Sequence, residues 1–110
     1  MEIAVRDAGD VKVVGIEGHL DTNTSPDAEA QFTQLLSQGV KKILVNFEKL
    51  EYISSSGLRA LLSTAKDLES DGGSLRVCNL NENVQEVFDI SGFSVIFNVF
   101  GTESEALDGF

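Results

Sequence analysis

Several things are scarce in this chain, and each scarcity closes off a class of function. It has one cysteine, Cys78, so no intramolecular disulfide can form, and a redox role finds no second thiol. It has one histidine, His19, and no cluster of His, Cys and acidic residues at ligand spacing, so no metal site and no cofactor are expected. Cations are few. Eight Lys and Arg stand against 18 Asp and Glu, a formal net charge of -10. Nucleic acid and anionic membrane surfaces are both held through Lys and Arg, so neither is an expected partner, whereas basic protein surfaces are. No run approaches the roughly 20 apolar residues of a membrane span, and no signal-type apolar stretch opens the sequence. The cytoplasm is the expected compartment. Low-complexity linkers and fixed-period repeats are missing too, and Pro26 is the single proline.

What is present suits one domain spanning residues 1–110, with 42% hydrophobic residues to fill its core. Ile3 and Val5 alternate with polar neighbours as a first strand, and Ala8-Gly9-Asp10 turns the chain into a second, Val11–Leu20. Val14, Ile16 and Leu20 share one of its faces. Ser25 before Pro26 reads as the cap of a helix carrying Ala28, Phe32, Leu35 and Leu36, which Gly39 ends. Lys41–Phe47 is a β-rich run with consecutive apolar residues, as in a strand covered on both faces. Leu58, Leu61, Leu62, Ala65 and Leu68 form the stripe of a second helix, stopped by Asp71-Gly72-Gly73. Ser74–Leu80 is a strand. Asn81 caps a helix with Val84, Val87 and Phe88, and Gly92 follows it; Val95–Phe100 reads as a last strand, and Thr102 with Glu105 as a capping box. The alternation predicts an α/β layered domain, with a small, mixed but mostly parallel sheet and about four helices packed against it.

The segment EYISSSGLRALL, residues 51–62, places Ser54, Ser55 and Ser56 where the chain crosses from strand to helix. In such a fold the strand ends and helix starts form the functional rim. Ser55 or Ser56 is expected to cap the helix, and Gly57 to let the backbone turn tightly. A phosphate on Ser56 would face the positive end of the helix dipole, worth roughly 0.3–1 kcal/mol. Its added charge of about −1.5 to −2 would be felt by whatever docks on the rim.

Three segments together resemble the anti-sigma factor antagonists of the STAS domain family: GHLDTNTSPDAEAQF, KKILVNFEKLEYISSSGLRALL and GGSLRVCNLNENVQEVFDISGF, in the family's order and spacing. The resemblance implies a regulatory protein rather than an enzyme. It implies a phosphoacceptor at the residue before the glycine, Ser56, with Ser55 the second choice. The partner surface it implies is Asp21, Thr22, Ser54, Ser55, Ser56, Gly57 and Leu58. The implied partners are an anti-sigma factor that is also a serine kinase, bound by the unphosphorylated form so that the sigma factor is freed, and a serine phosphatase that reverses the modification. Two positions depart from the family pattern. Ser54 stands where the family commonly has Asp, and Asn46-Phe47 where an aspartate is frequent.

Three other readings are open to the sequence. A STAS subunit can serve as a fixed interface on a transporter or another signalling complex. An acyl carrier protein is also small and acidic with a modified serine at a helix start, but is all-helical. A serine hydrolase would need the GxSxG elbow, which is absent.

Overall fold

The computed structural model describes residues 1–110. The opening hairpin forms as expected: β1 (Glu2–Ala8) and β2 (Val11–Leu20) pair antiparallel, with Ile3 opposite Ile16 and Val5 opposite Val14. From β2 the chain enters α1 (Ser25–Ser37), then β3 (Lys42–Asn46), β4 (Leu50–Ile53), α2 (Ser55–Ser70), β5 (Ser74–Cys78), α3 (Glu82–Ile90), the single turn α4 (Phe93–Ile96), β6 (Asn98–Phe100) and α5 (Glu103–Leu107). The sheet runs β1-β2-β3-β5-β6, and every neighbour after the hairpin is parallel.

β2 serves two partners in turn. Its first half, Val11–Gly15, pairs with β3. A bulge at Gly18, whose φ is 95°, then shifts the register, and the last residues pair parallel with β4. Residues 48–53, which the sequence pattern left without an element between the third strand and the second helix, thus include a strand of their own. In β4, Leu50 and Ile53 are buried while Glu51 and Tyr52 face solvent, a pattern too short to stand out as alternation.

The sheet separates two cores of unequal size. On one face α1, α2 and α3 lay Phe32, Leu61, Leu68 and Phe88 against Val14, Ile16, Val45 and Val77. Phe88 sits at its centre, with ring centroids 6.1 Å from Phe47 and 5.9 Å from Phe97, distances at which aromatic pairs add to simple burial. On the other face α5 covers Val11, Val13, Leu44 and Cys78. Burial pushes the Cys78 thiol up to about 12, so it stays a neutral packing group. Arg76 fastens this thinner layer. Its guanidinium donates to the carbonyls of Ala106, Asp108 and Gly109 and lies 5.1 Å from the Phe100 ring centre and 4.5 Å from that of Phe110. The terminal segment thus packs rather than frays.

Three local expectations are corrected. Residues 95–100 are not one strand: Phe93–Ile96 forms a helical turn closed by the Phe97 N–H on the Phe93 carbonyl, and β6 holds only Asn98–Phe100. Packing of Phe93 and Phe97 on Phe88 overrides the β propensity of Val95 and Ile96, which are left 89% and 58% exposed. The cap of α1 is Thr24, with Ser25 already helical and Pro26 second. The cap of α2 is Ser54, ahead of the expected Ser55 or Ser56 by one or two residues. Asn81 and Thr102 cap α3 and α5 as expected, through the N–H groups of Val84 and Glu105.

Candidate functional site

The site lies where the ends of β2 and β4 meet the start of α2. The Ser54 N–H donates to the Leu20 carbonyl at 2.9 Å, which ties the turn to the end of β2. Ser54 is extended, with φ -97° and ψ 173°, and its hydroxyl accepts from the Gly57 N–H. Gly57 then enters a space no larger residue fills. A Cβ there would stand 2.8 Å from the Leu20 carbonyl oxygen and 2.9 Å from the Leu20 and Ile53 side chains. With the backbone pressed onto β2 at Gly57, the two residues before it are held outward. Ser55 is exposed and Ser56 half-buried.

Two side chains converge on the Ser56 hydroxyl. Thr22 Oγ1 is 3.2 Å away, sharing a hydrogen bond with it, and Arg59 Nη2 donates to it at 3.3 Å. Thr22 belongs to the loop between β2 and α1, which Asp21 organises. The Asp21 carboxylate accepts from the N–H groups of Asn23 and Thr24, and the Thr24 hydroxyl donates to the His19 carbonyl. The bond from the Thr24 N–H, more than any other influence, holds the Asp21 carboxyl below its ordinary range. Asp21 is therefore the scaffold of the loop that carries Thr22. Beside it, His19 Nε2 lies 3.1 Å from a Glu51 carboxylate oxygen, and its ring meets the exposed Tyr52 edge-on.

Of the residues expected at the partner surface, Asp21, Thr22, Ser54, Ser55 and Ser56 come together on this rim. Leu58 does not. It is 4% exposed and part of the large core, because the next helical residue after the buried Gly57 also turns inward. Its role is corrected to packing, and Gly57 contributes shape without an exposed side chain. Arg59 was missing from the sequence reading, although one helical turn separates it from Ser56 and residues so spaced are neighbours on a helix. Neither group bonded to Ser56 is a general base, so the hydroxyl has no catalytic partner of the Ser-His kind. The six-stranded sheet removes the acyl-carrier reading. No group of three or more His, Cys, Asp or Glu could hold a metal ion, and no helix is long and apolar enough to cross a membrane.

Comparison with known proteins gives a consistent picture. Residues 2–106 match the family model of the STAS domain. The chain is 35% identical over 95 residues to BtrV of Bordetella bronchiseptica, whose own assignment as an anti-sigma factor antagonist is provisional, with 86% of this chain and 82% of BtrV covered. It is 31% identical over 93 residues to an anti-sigma-B factor antagonist of Staphylococcus aureus, with 84% and 86% covered. Among solved structures it is similar to the Bacillus cell fate determinant SpoIIAA in the phosphorylated form, at TM-score 0.75 and 27% identity, covering 97% of each chain. A Thermotoga maritima structure overlays more closely, at TM-score 0.91, but at 23% identity it speaks to the fold alone; it covers 96% of this chain and 92% of the other.

Proposed function

The chain belongs to the STAS domain family, and on that footing we propose that it is an anti-sigma factor antagonist, a protein–protein switch controlled by phosphorylation of Ser56. In this reading the unphosphorylated rim docks on an anti-sigma factor that is also a serine kinase, and the sigma factor is freed. The kinase transfers phosphate from ATP to the Ser56 hydroxyl. The Oγ–P bond forms, the bond between the γ-phosphorus and the bridging oxygen breaks, ADP leaves, and the hydroxyl proton passes to a base on the kinase. A serine phosphatase hydrolyses the Oγ–P bond and restores the docking form. The chain contributes no catalytic residue. It is the substrate, and its work is presentation.

The observation that carries this reading is the Ser56 hydroxyl itself. It is half-buried and oriented by Thr22 and Arg59 on a rim built from three separate segments. A phosphate there changes the local charge by about −1.5 to −2. If the dianion is desolvated at the contact centre without a cation from the partner, the complex loses several kcal/mol, and each ~1.4 kcal/mol is tenfold in affinity. The relatives support the same direction, since those at 31% and 35% identity carry the name of anti-sigma factor antagonist. The test is release of the cognate kinase in the presence of ATP, with intact mass to count phosphates. Ser56→Ala should stay bound and unmodified while wild type is phosphorylated and released. Equal release of both, or phosphate on Ser55 alone, rejects Ser56 as the switch.

A further inference from the structure

The only charged side chain bonded to the Ser56 hydroxyl is Arg59. Its guanidinium lies 3.3 Å from Oγ and takes part in no salt bridge, whereas Arg6, Lys12, His19 and Lys42 each pair with a carboxylate. Arg59 is exposed, so the guanidinium can move, and i,i+3 spacing on α2 keeps it within reach of anything attached to Ser56. The carboxylate on the same rim, Asp21, is turned onto backbone N–H groups of its own loop. His19, the other basic group there, faces Glu51.

We propose that Arg59 is the internal partner of the Ser56 phosphate. This rests on Ser56 being the phosphoacceptor, and it adds a second half to the switch. In the unmodified protein Arg59 is a free cation on an otherwise acidic rim. Once Ser56 carries phosphate, the guanidinium closes on two of its oxygens, a planar fork matched to a planar pair of acceptors. Thr22, on the other side of Oγ, donates to a third. Modification thus adds an anion and at the same time withdraws the rim's unpaired cation from the kinase. A lysine at position 59 would supply charge without the fork.

The proposal is tested on protein with phosphoserine incorporated at position 56 during translation, so that no kinase is needed. The second ionisation of the phosphate is followed by phosphorus NMR across the pH range. A cation in contact favours the dianion, so Arg59→Gln should titrate about 0.5 pH higher than wild type, with Arg59→Lys between them. The difference between wild type and Arg59→Gln should shrink in high salt, because the pair is exposed. Identical midpoints for wild type and Arg59→Gln overturn the proposal, as does a wild-type midpoint equal to that of free phosphoserine. A positive titration combined with no phosphate transfer by the cognate kinase would leave the Arg59 clamp standing and remove the switch. Phosphate transfer with identical midpoints would do the reverse.

Discussion

At its amino end, α2 lays Gly57 on the Leu20 carbonyl; just past its carboxyl end, the chain lays Gly73 on the Lys41 carbonyl. Both are places where a Cβ has no room, and both fasten the same helix to the parallel sheet, one at the end of β2 and one at the start of β3. Only the first has polar side chains converging beside it. Beside Gly57 stand two outward serines, with Thr22 arriving from another loop and Arg59 from the next turn. Beside Gly73 stand the exposed Asp71 and Gly72, and Ser74, whose N–H donates to Lys41 as β5 begins. The tight glycine belongs to the fold. The proposed function rests on the hydroxyls from separate segments that are left facing outward on top of it.

The largest expected effect comes from the silent end. In Gly73→Ala the new methyl overlaps the Lys41 carbonyl oxygen, which already accepts the Ser74 N–H and leads into the Lys42–Ser74 pairing of β3 and β5. Backbone on both sides leaves nothing to yield. Overpacking of this kind costs about 3 kcal/mol, a fall in melting temperature of about 10 °C or more. Thermal unfolding by circular dichroism measures it. Phosphate uptake by Ser56 per folded molecule should be unchanged, and a loss there would break the division between the two ends.

Gly57→Ala should be milder for stability and worse for function. Two of its three close neighbours are side-chain atoms of Leu20 and Ile53, which can shift a little, and alanine gains about 1 kcal/mol of helix propensity over glycine. A net loss of about 2 kcal/mol is expected. The helix start must lift off Leu20 to fit the methyl, and Ser56 moves with it. Kinase affinity, measured by titration calorimetry well below the melting temperature, should therefore fall by tenfold or more, about 1.4 kcal/mol. Full affinity in a destabilised Gly57→Ala would show that the partner does not read the height of this turn.

The same contrast explains how much of the molecule could be read without coordinates. The stripe on α2, the buried face of β2 and the caps Asn81 and Thr102 show as spacing within a few residues of sequence, and they stand where that spacing placed them. Ser56 drew attention because serine before glycine at a helix start is a local pattern, whereas its outward placement comes from Gly57 on Leu20, far earlier in the chain. β4 was not legible, because four residues become a strand only by pairing with the far half of β2 beyond a bulge. The turn at Phe93–Ile96 was not, because it depends on Phe88 from another helix. Leu58 was misplaced on the rim because its direction follows from how closely Gly57 approaches Leu20, which no local pattern records. Arg59 needed only a count of three residues, and became meaningful once Thr22 was seen on the opposite side of the hydroxyl.

The smallest effect separates the two ends by their caps. Ser54 closes the amino end with a side-chain bond to Gly57, whereas the cap at Asp71 closes the other with backbone N–H bonds alone. Ser54→Ala should cost about 1 kcal/mol, or about 4 °C in melting temperature. Ser54→Asp restores the residue common in the family and should stay within about 0.5 kcal/mol of wild type near neutral pH, since a carboxylate both caps and complements the helix dipole. The dipole holds the introduced carboxyl below its unfolded value of about 3.9. Its contribution is therefore present above that pH and is lost as pH falls through the folded value. Melting curves of the two variants near neutral pH and near pH 3 give the answer: the lead of Ser54→Asp over Ser54→Ala should narrow in acid. If Ser54→Ala melts with wild type, the hydroxyl contributes nothing to fastening the turn. The amino end is then held as the carboxyl end is, by glycine on a carbonyl alone, and Ser54 is free to differ from the family without consequence for the fold.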